Sequence, residues 1–135
     1  MEDCIFCKII KGEIPAQKVY EDESVLAFLD IHPIRTGHTL VIPKKHASDF
    51  YKLDEQNYAV LMKAVKQIAV RVDEILKPKK VGMLVAGWDV EHAHVHVVPM
   101  QEYHDITSKS ILDGHRSNPT QEELASTAAK LLIVI

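Results

Sequence analysis

Residues 92–98 read His92-Ala93-His94-Val95-His96-Val97-Val98, and Pro99 follows. Three imidazoles alternate with apolar side chains, the period-two pattern of a β-strand, whose successive side chains point to opposite faces. This places His92, His94 and His96 along one face and turns Ala93, Val95 and Val97 towards a core. In regular strand geometry neighbouring imidazoles sit roughly 6.6–6.8 Å apart and the outer pair about 13 Å apart. Two of them could share a metal ion, but all three could not without a bulge, because zinc–nitrogen bonds are about 2 Å long. The spacing favours a histidine-lined trough over a three-histidine metal centre. A neutral imidazole, with an ordinary pKa of about 6.5, can attack at pH 7, and a protonated one donates to anionic oxygen. Transfer at phosphorus needs both a nucleophile and such donors. His94, in the middle, has possible donors on either side, and a backbone carbonyl accepting its Nδ1–H would leave Nε2 to attack.

The second chemically loaded pattern is Cys4-Ile5-Phe6-Cys7, which holds the only two cysteines of the chain. A two-residue spacing suits a zinc knuckle, and redox pairs share it. In a reducing compartment the pair reads as ligands or a redox motif rather than a structural staple.

The elements that must position these residues follow from local pattern. Residues 3–11 form one or two helical turns, capped by Asp3 and stopped by Gly12. Residues 18–21 and 25–30 read as strands around an Asp22-Glu23-Ser24 turn, a hairpin. Residues 38–43 form a third strand ended by Pro43. Asp54 caps a long helix whose apolar positions (Tyr58, Leu61, Met62, Val65, Ile68, Ala69, Val72, Ile75, Leu76) step by threes and fours until Pro78. Residues 81–86 form a fourth strand, joined by a tight connection at 87–91 to the histidine strand, with which it pairs antiparallel. Residues 101–119 read as a long surface loop in which His104 and His115 are solvated. Thr120-Gln121-Glu122-Glu123 is a capping box opening a last helix through about Leu132. Strands, helix, strands, helix without βαβ alternation predict an antiparallel α+β domain with its helices on one face.

The whole chain, 135 residues with 47% hydrophobic and 26% charged residues, fits one soluble domain, residues 1–135. A net charge of -3 gives no reason to expect a nucleic-acid partner. No apolar run approaches the roughly 20 residues of a membrane helix, and residues 1–10 do not read as a signal peptide, so a cytoplasmic location is the default expectation.

The His92-x-His94-x-His96-x-x motif with apolar intervening positions resembles the signature of the histidine-triad (HIT) nucleotide-binding proteins. Ile5-Phe6-Cys7-Lys8-Ile9-Ile10, Glu13-Ile14-Pro15-Ala16, Ala27-Phe28-Leu29-Asp30-Ile31 and residues 37–46 around His38 agree with it. The similarity runs over residues 4–99, is greatest to the Hint-like bacterial branch, and leaves 100–135 as a C-terminal loop and helix. It implies an α+β fold with a five-stranded antiparallel sheet and two main helices, paired across a homodimer. It also implies hydrolysis or transfer at a nucleotide α-phosphate, on a purine nucleoside phosphoramidate or similar substrate, through a covalent nucleotidyl intermediate on His94. His96 and His38 match phosphate-contacting histidines, and Asp30 matches a ribose-binding carboxylate, which suits two hydroxyl donors. Phe6, Ile9, Ile14, Phe28 and Ile31 match positions around the base, though each could equally be plain core. The resemblance implies a structural zinc ion held by Cys4, Cys7, His46 and His92.

The segment ahead of the triad departs from that pattern. Hint-like members carry an Asn-x-Gly and a Gly-Gln pair there, whereas this chain has the shorter Val85-Ala86-Gly87-Trp88-Asp89-Val90-Glu91. Asp89 would repel a phosphate if it pointed inward, and Trp88 could stack on a base or cap the sheet. Three competing readings remain: dinucleoside polyphosphate hydrolysis, nucleotide binding with little turnover, and a metal hydrolase with the triad as ligands.

Overall fold

Val25–Leu29 and Thr39–Pro43 have no exposed position, so both faces of these two strands are covered. In the computed structural model, which describes residues 3–107 and 117–134, they are two of the three inner strands of the sheet. The elements run α1 (Ile5–Ile10), β1 (Lys18–Glu21), β2 (Val25–Leu29), β3 (Thr39–Pro43), α2 (Glu55–Leu76), β4 (Lys80–Leu84), β5 (Val95–Met100) and α3 (Gln121–Leu131). The strands form one antiparallel sheet in the order β1-β2-β3-β5-β4, the five-stranded architecture implied by the resemblance. Asp22 closes the β1–β2 hairpin, its Oδ1 accepting the amides of Ser24 and Val25 at 2.7 and 2.8 Å.

Alternation along the strands builds two separate cores. Val25, Ala27, Leu29, Val41, Val95 and Val97 face α2 and α3, meeting Leu61, Val65, Ile68 and Val72 of α2 and Leu124 and Leu131 of α3. Each such side chain contributes about 1.5–3 kcal/mol by leaving water. Leu26, Phe28, Leu40 and Ile42 face the other way and pack against Phe6 and Ile9 of α1. The helices are therefore not all on one face: the two long ones cover one side and α1 the other. α1 is short, but its two aromatic and aliphatic side chains seal the second face.

The long helix is capped as expected by Asp54, which accepts the Asn57 amide, and ends at Lys77 in the left-handed conformation (φ 48°) just before Pro78. Tyr58 and Ile75 of its expected apolar stripe are exposed, whereas Leu61, Val65, Ile68 and Val72 are buried and Leu76 packs against the same core. α3 opens on the expected capping box between Thr120 and Glu123. α1 is capped by Cys4, not Asp3: the Cys4 sulfur accepts the Cys7 amide at 3.3 Å.

The connection from β4 to β5 is longer than the tight link expected. β4 stops at Leu84 and β5 starts at Val95, so residues 85–94 form an irregular segment that turns at Gly87 (φ 79°). Of the three triad histidines only His96 belongs to the strand. Within 101–119, Tyr103–Asp105 forms a single 3-10 turn and His104 is exposed; residues 108–116, His115 among them, lie outside the described residues. No helix among the described residues is long and apolar enough to cross a membrane.

Candidate active site and metal centre

His96 lies on the sheet face that carries Phe28 and Leu40, opposite Leu40 of β3 in the strand register. His94 reaches the same place from just before the strand. Its ring centroid is 5.2 Å from that of His96 and 5.2 Å from that of Phe6, which it meets edge-on. This separation is shorter than regular strand geometry gives, because residues 92–94 leave the strand path. His94 and His92 are also buried.

The bend has a visible anchor. His94 donates its Nδ1–H to the carbonyl oxygen of His92 at 2.7 Å, which leaves the lone pair of the neutral ring on Nε2. A second chain of hydrogen bonds fixes His96. The Ile34 amide can only donate, so it makes His38 Nδ1 an acceptor at 3.0 Å. The His38 proton therefore sits on Nε2 and is donated to His96 Nδ1 at 2.8 Å. That places the His96 proton on Nε2, in the form that can donate to an anionic oxygen. Asp30 Oδ2, 3.7 Å from His38 Nε2, favours the same arrangement.

His94 and His96 border a cleft of about 250 Å³ that also takes in Phe6, Ile9, Phe28, Asp30 and Ile31, with His38 behind them and outside the lining. Phe6 and Phe28 pack edge-to-face with centroids 5.6 Å apart, giving one apolar wall, while Asp30 sits where β2 ends. Ile31 is more exposed than the rest and forms the lip. Trp88 neither lines this cleft nor caps the sheet: it is 90% exposed, at a bend of the 85–94 segment. Asp89 and Val90, its neighbours, do line the cleft. His32 lines it too and was not anticipated; the two-residue step from Asp30 was its one sequence signal. The Ile34 amide and the Pro43 carbonyl were invisible beforehand, since a backbone group has no residue identity.

A second cluster lies behind His92, whose ring turns away from the cleft. Cys4, Cys7, His46 and His92 each offer a donor atom, and the four lie within 4.8 Å of one another. His92 Nδ1 is 3.4 Å from Cys4 Sγ, 3.6 Å from Cys7 Sγ and 3.1 Å from His46 Nδ1. Ligands of one tetrahedral zinc ion stand about 3.3–3.8 Å apart, so the donor set fits. The tautomer fits as well: His92 donates Nε2–H to the Pro43 carbonyl at 2.8 Å, which turns the Nδ1 lone pair towards the sulfurs. Burial lowers the His92 pKa below its ordinary 6.5; the Pro43 bond opposes this, and the neighbouring His46 and His94 reinforce it. Burial and the adjacent Cys4 push the Cys7 thiol up. A bound divalent cation is what would reverse that and stabilise thiolate.

The family model for the HIT domain matches residues 11–103. The chain belongs to the HIT family. As a HIT protein it is 39% identical over 138 residues to protein hit of Bacillus subtilis, covering 96% of this chain and 95% of that one. It is 41% identical over 101 residues to the adenosine 5'-monophosphoramidase hnt1 of Schizosaccharomyces pombe, with 71% and 73% covered. Among solved structures, a zinc-bound histidine-triad family protein from Mycobacterium smegmatis superposes on the HIT fold described above with a TM-score of 0.76. It is 33% identical and covers 96% of each chain.

Proposed function

We propose that this HIT protein is a nucleotide hydrolase that forms a covalent nucleotidyl intermediate on His94. The observation that carries the reading is the 2.7 Å bond from His94 Nδ1–H to the His92 carbonyl, which leaves Nε2 as the nucleophilic atom of a residue lining the cleft. A base packs against the wall made by Phe6, Ile9 and Phe28, and Asp30 accepts the ribose hydroxyls. Nε2 of His94 attacks the α-phosphorus while the bond to the leaving nitrogen breaks; that nitrogen takes the bonding pair and a proton from solvent and departs as the free amine or ammonia. His96, its proton held on Nε2 by His38, donates to a non-bridging oxygen and stabilises the developing charge. Water then attacks the same phosphorus and gives up a proton to solvent, while the P–N bond returns its pair to His94. The monophosphoramidase name of the S. pombe relative supports a phosphoramidate as substrate.

In the same reading Cys4, Cys7, His46 and His92 hold zinc, supported by the donor geometry and the zinc-bound relative. Bound there, the ion would cross-link α1 to the segment before β5, its charge balanced by the two cysteine thiolates. The homodimer belongs to the reading too; β4 is an edge strand with Met83 58% exposed on it, and sedimentation velocity tests the assembly.

The central test is intact mass after a short quench with adenosine phosphoramidate, and with diadenosine polyphosphate in parallel. A gain of one nucleoside monophosphate, absent in His94→Ala, is the expected result. Undiminished AMP release by His94→Ala overturns the proposal.

A further inference from the structure

Among the described residues, the ionisable groups lining the cleft are two carboxylates, Asp30 and Asp89, and three imidazoles, His32, His94 and His96, with no lysine or arginine. Asp30 is engaged, since its Oδ1 accepts the His32 amide at 2.8 Å. Asp89 stands differently. It is exposed on the 85–94 segment, makes no hydrogen bond or ion pair among the described residues, and faces the space that His94 and His96 face. It also borders an adjoining hollow with two more carboxylates, Asp3 and Glu91, and with Cys4 and His46 of the proposed metal centre.

A charge in that position sorts ligands. The base and ribose are neutral and feel it little. One phosphate group can be met by imidazole N–H donors. Each further phosphate adds negative charge in a cleft whose described lining has no permanent cation to offset it, and Asp89 stands on the open side of that lining. Specificity often comes from such a repulsive element as much as from attraction.

We propose that Asp89 is the specificity-determining residue of the cleft, admitting nucleotidyl substrates whose leaving group is neutral or cationic and disfavouring those that carry further phosphates. This rests on the nucleotide reading of the cleft and adds the class of leaving group to it.

Binding tests it without requiring turnover. Dissociation constants of AMP, ADP and ATP are measured by titration calorimetry on the intact protein, in magnesium-free buffer without chelator. For the unaltered protein the constants rise from AMP to ADP to ATP, by about threefold for each added phosphate. Asp89→Glu keeps this ladder, Asp89→Asn flattens it, and Asp89→Lys inverts it. The residue is exposed and unbonded, so these variants leave the core alone. A ladder that is the same in Asp89→Asn and Asp89→Lys as in the unaltered protein overturns the inference while leaving the nucleotide reading intact. Failure of AMP itself to bind overturns both.

Discussion

His92 and His94 are joined by a 2.7 Å hydrogen bond from the ring of one to the carbonyl of the other. The ring of His92 is meanwhile directed at Cys4 and His46, with its Nδ1 at 3.4 and 3.1 Å from their donor atoms. One residue thus serves the proposed metal centre with its side chain and the proposed nucleophile with its backbone. Four expectations follow from this and from the contacts around His38.

Removing metal destabilises the fold. Stripping the purified protein with a chelator lowers the thermal midpoint by at least about 5 °C, and one equivalent of zinc restores it. Scanning calorimetry checks this, with Cys7→Ser as the control in which zinc no longer shifts the midpoint.

His94→Ala and His38→Ala differ in degree. Loss of the nucleophile lowers kcat for adenosine phosphoramidate by at least about a thousandfold. Loss of His38 leaves the nucleophile but releases His96 from its fixed tautomer, and kcat falls by about 10–100-fold with KM little changed. Steady-state kinetics separates them.

Asp105 gives a pH-dependent test of the loop before His38. Its carboxylate is buried, pairs with Arg35 at 2.9 Å and accepts the amides of Gln101 and Glu102, while the Arg35 carbonyl accepts the His38 amide at 3.0 Å. Burial alone would raise its pKa, but the Gln101 amide, the Arg35 guanidinium and the Glu102 amide together bring it below the ordinary 3.8. A lowered folded value means that the stabilisation is whole above about pH 4 and is lost as pH falls through that value. Asp105→Asn therefore costs about 1–2 kcal/mol at pH 7. The difference from the unaltered protein shrinks below the ordinary 3.8, as urea unfolding at a series of pH values would record.

Gly37 immediately precedes His38 and has φ 97°, where a Cβ would overlap Leu76 Cδ1. Gly37→Ala costs about 1–3 kcal/mol in unfolding free energy by denaturant titration, with a matching loss of activity from the displaced His38.

Much of the scaffold could be read from the chain because its signals are local. Asp54, Pro78 and the spacing from Leu61 to Val72 define α2, and Thr120 with Glu123 defines the start of α3. The family resemblance implied a five-stranded antiparallel sheet, but its order, β1-β2-β3-β5-β4, was not read from the chain. What the alternation at 92–96 concealed was the path: it describes a strand for all three histidines, yet two of them precede it. His92 leaves the strand direction because its ring joins Cys4, Cys7 and His46, contacts 46 to 88 positions away that no local periodicity encodes. Trp88 misled in the opposite way, since a lone large aromatic beside a motif invites a stacking role, and here it projects into solvent. Asp89, one position on, was the residue of that segment whose charge mattered to the cleft.

The 88-position span between Cys4 and His92 has a consequence for how the molecule comes into being. A ribosome releases the first two proposed ligands and the Phe6 wall long before the last proposed ligand and the proposed nucleophile, which emerge within two residues of each other. Until then the side of the pocket formed by His94 and His96 is missing. Ion capture and the birth of a working site thus fall at the same late moment of synthesis, and a fragment that stops short of His92 can have neither.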